Sequence, residues 1–211
     1  MTVSADPVCG PLDMLLPNGY FQALTKVIER MPLAVIGNIG DLILRAYQAQ
    51  RTLFLYGNGG SAALASHCAC DLGKGTSSGS SPRLRVVSLT DNVPLITAWA
   101  NDSAYEYTFV EQLRNLLQPG DISFAISCSG NSPNVLNALQ YSRDAGACNI
   151  GITGFDGGRM ATLCDVCLIV PSDNMQLIED LHLSVFHSVF TTVRHRIAEC
   201  ARAKAAALPA R

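Results

Sequence analysis

Past residue 50 the chain alternates between short apolar runs and stretches whose apolar positions recur every three or four residues. The runs at 52–56, 85–89, 122–127, 149–153 and 166–170 are continuously apolar rather than alternating, which predicts strands buried on both faces. Helical periodicity occupies 62–72, 93–101, 105–117, 134–144 and 158–163 between them. Two further helices are predicted at 20–30 and 35–50, ahead of the first strand, and a long one from about 175 to 202. Strands of this kind separated by helices predict an α/β fold: three layers, with a five-stranded parallel sheet between two layers of helices, plus N-terminal helices and a long C-terminal helix. Ligands of such sheets sit beyond the carboxyl ends of the strands.

Residues 1–19, with Pro7, Gly10, Pro11 and Pro17, read as an irregular lead-in; 20–200 form a single domain. The Ala-rich end, 201–211, reads as either a frayed extension of the last helix or a disordered tail, and 76–81 as a small polar loop. There is no internal repeat.

Composition narrows the function classes. Hydrophobic residues make up 48% of the 211 residues and charged ones only 15%, a balance that predicts extensive burial, subunit interfaces included. A net charge of −2 leaves no basic surplus for nucleic acid or an anionic membrane surface. No run has the roughly 18 apolar residues of a membrane span, and the opening Met-Thr-Val-Ser-Ala-Asp lacks the features of a secretory leader. A cytoplasmic location is the expectation. The eight cysteines therefore read as small buried hydrophobes rather than a disulfide framework; Cys164 and Cys167 have CxxC spacing, but without a second such pair to complete a metal site.

Two strand-to-helix junctions carry the candidate chemistry. In Phe124-Ala-Ile-Ser-Cys-Ser-Gly-Asn-Ser-Pro133 a buried strand breaks into a loop bearing Ser127, Cys128, Ser129 and Ser132, and a helix follows. Hydroxyls, free backbone N–H groups and the positive end of a helix make an anion cradle. The absence of lysine suits binding and release of a phosphorylated metabolite better than phosphoryl transfer. The second junction, Leu53-Phe-Leu-Tyr-Gly-Asn-Gly-Gly-Ser61, has glycines at 57, 59 and 60 that permit close backbone approach to a ligand, with Asn58 and Ser61 as polar groups. It matches neither the GxGxxG nor the GxxxxGK nucleotide loop, so no nucleotide cofactor is expected. Both junctions fall at the same edge of the sheet, one suited to sugar hydroxyls and the other to phosphate. Asp91 and Asn92 are placed to cap the next helix and still meet a ligand. Asp156-Gly157-Gly158 reads as a structural turn, and Trp99 and Tyr105 as core or interface.

Gly57-Asn-Gly-Gly-Ser61 with Ser127-Cys-Ser-Gly-Asn-Ser132 resembles the sugar isomerase (SIS) domain, and within it the phosphoheptose isomerases; Leu89-Thr-Asp-Asn92, Asn101-Asp102 and Thr153-Gly-Phe-Asp-Gly-Gly158 extend the likeness. The resemblance implies a flavodoxin-like five-stranded parallel domain, a homotetramer with interfacial active sites, and zinc. By position it puts phosphate on Ser127, Ser129 and Ser132, and the sugar against Asn58, Gly59, Gly60, Ser61, Asp91 and Asn92, with Cys128 and Glu179 alongside. The family's metal and acid/base positions fall on His67, Asp71, Glu179 and His187. His67 and Asp71, four apart on a helix, share a face. Glu179 and His187, eight apart, lie roughly 12 Å from each other along a helix axis, and His182 competes as a ligand. Asp71 stands where the family usually has glutamate, and Glu179 where it often has glutamine. The implied reaction interconverts sedoheptulose 7-phosphate and a D-glycero-D-manno-heptose 7-phosphate through an enediol(ate), on the way to nucleotide-heptose and surface polysaccharide, with Asp71 and His187 as the acid/base pair. The alternatives are a non-catalytic SIS module that senses phosphosugars or binds a protein partner, and an isomerase of a different phosphosugar.

Overall fold

The computed structural model describes residues 16–77 and 82–206. Five parallel strands, β1 (Thr52–Gly57), β2 (Arg85–Ser88), β3 (Ile122–Ile126), β4 (Cys148–Thr153) and β5 (Val166–Ile169), form one sheet in the order β2-β1-β3-β4-β5. The helices are α1 (Pro17–Ile28), α2 (Leu33–Gln48), α3 (Gly60–Gly75), α4 (Val93–Asp102), α5 (Val110–Leu116), α6 (Pro133–Asp144) and α7 (Met175–Ala206). The strand order reverses between β1 and β3, which are adjacent and pair Gly57 with Ile126 at their carboxyl ends. That reversal opens a crevice at the switch point, where ligands of this architecture bind.

Alternation along β1 divides the core. Leu53 and Leu55, with Phe124 and Ile126 of β3, pack against Ile39 and Ile43 of α2, Leu72 of α3 and Phe186 and Val189 of α7. Phe54 and Tyr56 face the other way, onto Leu113 of α5 and Val135 and Leu139 of α6. Both faces of the central strands are thus covered, which is why their sequences are continuously apolar. A smaller cluster joins Ala23 and Val27 of α1 to Leu177 and Leu181 of α7, and the Tyr20 hydroxyl donates to Asp180 at 2.6 Å across the same contact.

Three expectations are adjusted. The first helix begins at Pro17, because a proline at the first helical position brings its φ preset and forfeits only an N–H that would be unpaired anyway; residues 1–15 of the expected lead-in lie outside the described residues. The segment expected to be one helix over 105–117 is a 3-10 turn, Tyr105–Tyr107, followed by α5, and 158–163 is a 3-10 turn, Arg159–Thr162, entered from Gly158 at φ +55°. Of the alternatives for 201–211, the helix extension holds as far as Ala206; 207–211 and residues 78–81 of the polar loop lie outside the described residues. Among the described residues no helix is long and apolar enough to cross a membrane, and all seven cysteines are free. The sulfurs of Cys164 and Cys167 pack over Gly151, where a Cβ would lie 2.6 and 3.3 Å from them.

Candidate active site

The loop after β1 is shaped by close packing. A Cβ on Gly57 would lie 2.5 Å from the Ile126 carbonyl oxygen, so only glycine lets the two strands end side by side there. Gly59 takes φ +56° and turns the chain into α3, and the Ser61 N–H returns to the Asn58 carbonyl at 3.0 Å. The loop after β3 is built differently. Gly130, at φ +62°, sits against the Gly157 carbonyl, where a Cβ would be 2.2 Å away. Ser127 and Ser132 face each other with their hydroxyl oxygens 3.5 Å apart, and the Ser132 side chain makes no capping bond to α6. The Ser129 hydroxyl accepts the Asn131 N–H at 3.3 Å. The Ser127 and Ser132 hydroxyls thus meet at the amino end of α6.

Next to the first loop, α3 and α7 bring three side chains together. Nε2 of His67 is 3.0 Å from Nε2 of His187. The Asp71 carboxylate lies 3.4 Å from the first and 3.8 Å from the second. His67 and Asp71 share a face of α3 through their four-residue spacing, and α7 crosses so that His187 completes the triad. The ligating atoms all lie within 4.8 Å of one another. Two imidazoles and a carboxylate are the donor set a divalent ion such as zinc accepts. Side-chain exposures of 47%, 28% and 49% leave the triad open on one side.

Glu179 does not join that cluster. Its carboxylate lies over Gly60, where a Cβ would be 3.0 Å from Oε1. It still borders the same pocket, of about 370 Å³, that Gly60, Ser61, His67, His182 and His187 line. Eight residues along one helix set Glu179 at the loop end of this pocket and His187 at the triad end. Ser129 instead borders a larger, open groove of about 1590 Å³. Asp91 accepts hydrogen bonds from Thr90 and from Ser66, the neighbour of His67, while Asn92 is taken up capping α4 through the Leu95 N–H at 3.1 Å.

A sequence model of the SIS domain matches residues 19–154. A phosphoheptose isomerase from Bradyrhizobium sp. (strain BTAi1) is 39% identical over 161 residues, 76% of this chain and 81% of that protein. The phosphoheptose isomerase structure from Neisseria gonorrhoeae superposes with a TM-score of 0.78 at 28% identity, over 83% of this chain and 95% of its own. The one from Francisella tularensis gives 0.79 at 26%, over 89% and 100%. The chain belongs to the SIS domain family, among the phosphoheptose isomerases.

Within this isomerase the thiol of Cys128 is held above its usual range, first by burial and then by the charge of Glu179. It stays protonated and is a poor nucleophile. His182 is 1% exposed, outside the triad, and its Nε2 has no hydrogen-bond partner. Desolvation lowers its pKa from 6.5 to about 4, against a hydrogen bond to the Thr153 backbone that favours the charged form. Asp156 accepts the Gly158 N–H at 3.0 Å, a turn as expected.

Sequence reading missed Asn134. Buried to 1% exposure at the start of α6, it exchanges amide hydrogen bonds with Asn58, each 2.9 Å, and Tyr105 donates its hydroxyl to Asn58 Oδ1 at 2.9 Å. The available signal was an amide side chain directly after the Ser-Pro step that opens the helix.

Proposed function

We propose that this isomerase interconverts sedoheptulose 7-phosphate and D-glycero-D-manno-heptose 7-phosphate. What carries the reading is an imidazole–carboxylate triad whose two imidazoles line one pocket with the glycine loop, one strand away from a serine-rich loop. Phosphate is assigned to Ser127, Ser129 and Ser132, and the sugar to the Asn58–Ser61 loop with Asp91 and Glu179 at its border. His67, Asp71 and His187 would hold a zinc ion, and Glu179, which borders the same pocket, is the remaining candidate ligand. Zinc bound there would polarise the sugar carbonyl.

The chain's own residues handle the protons. From the ketose, a base removes a proton from C1 and an acid protonates the carbonyl oxygen at C2, giving an enediol. The O1 proton then leaves as C2 is protonated, which forms the aldehyde and fixes the stereochemistry. Asp71 and His187, 3.8 Å apart, are assigned as the acid/base pair, each through the atom it would not give to the ion. Exposed Leu16 just before α1, Phe21 on α1 and Leu33 on α2, each more than 60% accessible, supply apolar surface for a homotetramer. The cytoplasm is the proposed compartment. The test incubates the metal-analysed protein with sedoheptulose 7-phosphate in deuterated water. Aldose product carrying solvent deuterium at C2 is expected. Tight phosphosugar binding without turnover, after zinc repletion, would overturn the catalytic reading in favour of a phosphosugar sensor.

A further inference from the structure

The two loops at the switch point are tied to each other by a side-chain network. Asn58 Nδ2 donates to Asn134 Oδ1 and Asn134 Nδ2 donates back to Asn58 Oδ1, both at 2.9 Å, closing a ring of two amides. Asn58 Oδ1 also accepts the Tyr105 hydroxyl at 2.9 Å. Asn134 Nδ2 reaches Thr108 Oγ1 at 3.4 Å, and Asn134 Oδ1 accepts the Val135 N–H at 3.0 Å. Thr108 and Asn134 are 0% and 1% exposed, so Asn134 does not touch a ligand. Its side chain is spent on holding Asn58, Thr108 and the first turn of α6.

This tie lies where the backbone leaves the loops free. Up to Gly57 and Ile126 the sheet register fixes the spacing of the two chains. Beyond those residues each loop turns within itself, at Gly59 and at Gly130. A phosphosugar is a two-ended ligand: one end needs the cradle after β3, the other the loop after β1. Its affinity depends on the distance between the loops, whereas inorganic phosphate senses only the cradle.

We infer that Asn58, Asn134 and Tyr105 form a clamp that sets the spacing between the sugar loop and the phosphate cradle, and thereby selects phosphosugars by length. Asn58 and Asn134 are positioning residues, acting through the loops they join. This rests on the isomerase reading only in its choice of ligand.

The test measures affinity for sedoheptulose 7-phosphate and, separately, for inorganic phosphate in wild type, Asn58→Ala, Asn134→Ala, the double variant and Tyr105→Phe. Phosphosugar affinity is expected to fall about tenfold in each alanine variant, the scale of a small misplacement of binding groups. The double variant is expected to match the worse single, since both break one interaction. Tyr105→Phe, at an exposed ring that folding tolerates, is expected to lose about threefold, one neutral hydrogen bond. Phosphate affinity is expected to stay within about twofold throughout.

A parallel fall in phosphate affinity overturns the clamp, because the cradle itself has then collapsed. So does a loss confined to Asn58→Ala, which would make Asn58 a direct sugar contact, or strictly additive losses. Wild-type protein that binds the phosphosugar without turning it over sinks the isomerase reading instead, and the clamp is still read from the affinities.

Discussion

The loops at the switch point and the triad on α3 and α7 border one another, yet they are made by opposite means. The loops are set by backbone: glycines at 57 and 130 where a Cβ would meet backbone atoms, Gly59 at φ +56°, and a closed amide pair behind them. Their functional groups are pre-aimed before any ligand arrives. The triad is set by side chains alone, on helix faces that remain half open, with three titratable groups whose recorded partners at this site are one another. Binding is thus assigned to the rigid part and proton chemistry to the adaptable part. Such a division lets a phosphosugar be held at fixed geometry while the acid/base groups reorganise around it.

The sharpest way to break this division is His187→Ala. The imidazole lies in the triad and outside both loops, so turnover is expected to fall by about 10³-fold, the usual range for losing a general acid or base. Phosphosugar affinity is expected to change by less than about fivefold, since the cradle is untouched. Single-turnover rates and equilibrium binding of sedoheptulose 7-phosphate read the two quantities. A loss of binding as large as the loss of rate would mean that triad and loops are one unit.

The same contrast decided what was legible in the sequence. Apolar runs announced all five strands; β1, β3 and β4 are buried along almost their whole length because both their faces are covered, while the edge strand β2 keeps Arg85 and Val87 exposed. The loops were legible because glycine and serine spacing is itself the structural device. His67 and Asp71 were paired correctly because four residues on a helix are a local rule. What local rules do not carry is long-range closure. His187 meets His67 across 120 positions, and Asn134 meets Asn58 across 76; both depend on how helices settle on the sheet. Glu179 shows the limit from the other side. Its family position suggested a fourth member of the cluster, but eight residues of helical rise leave it over Gly60.

A third histidine sharpens the comparison, because His182 sits on the same helix as His187 but behaves like part of the rigid frame. It is buried, and its pKa is lowered to about 4 by desolvation. A histidine lowered in the folded state binds fewer protons than in the unfolded chain. Its contribution to stability is therefore whole above the unfolded value of 6.5 and lost as pH falls toward 4. The shift corresponds to about 3 kcal/mol at the acid end of that window. His182→Leu removes the titrating group. The difference in unfolding free energy between variant and wild type, measured by denaturant titration at intervals from pH 7 to pH 4, is expected to move in the variant's favour across the window. A constant difference would mean that His182 accepts a proton in the folded protein without cost.

The smallest expected effect tests the cradle itself. Ser132 holds its hydroxyl free of any capping bond to α6 and 3.5 Å from Ser127. An N-cap serine ordinarily gives its oxygen to the first turn of its helix, so a Ser132 that does not is available to a ligand. Ser132→Ala removes one hydrogen bond to a charged oxygen, about 1.5 kcal/mol at the low end, which is roughly tenfold in affinity. It leaves the helix without a cap it never had, so the melting temperature is expected to stay within about 2 °C. The loss should appear in KM with kcat unchanged, because the phosphate contact is equal in ground and transition states. It should appear equally for inorganic phosphate measured as a competitive inhibitor. If KM for the phosphosugar rises while phosphate inhibition is unaltered, Ser132 serves the sugar chain rather than the phosphate, and the boundary between the two loops runs through the serine loop instead of between β1 and β3.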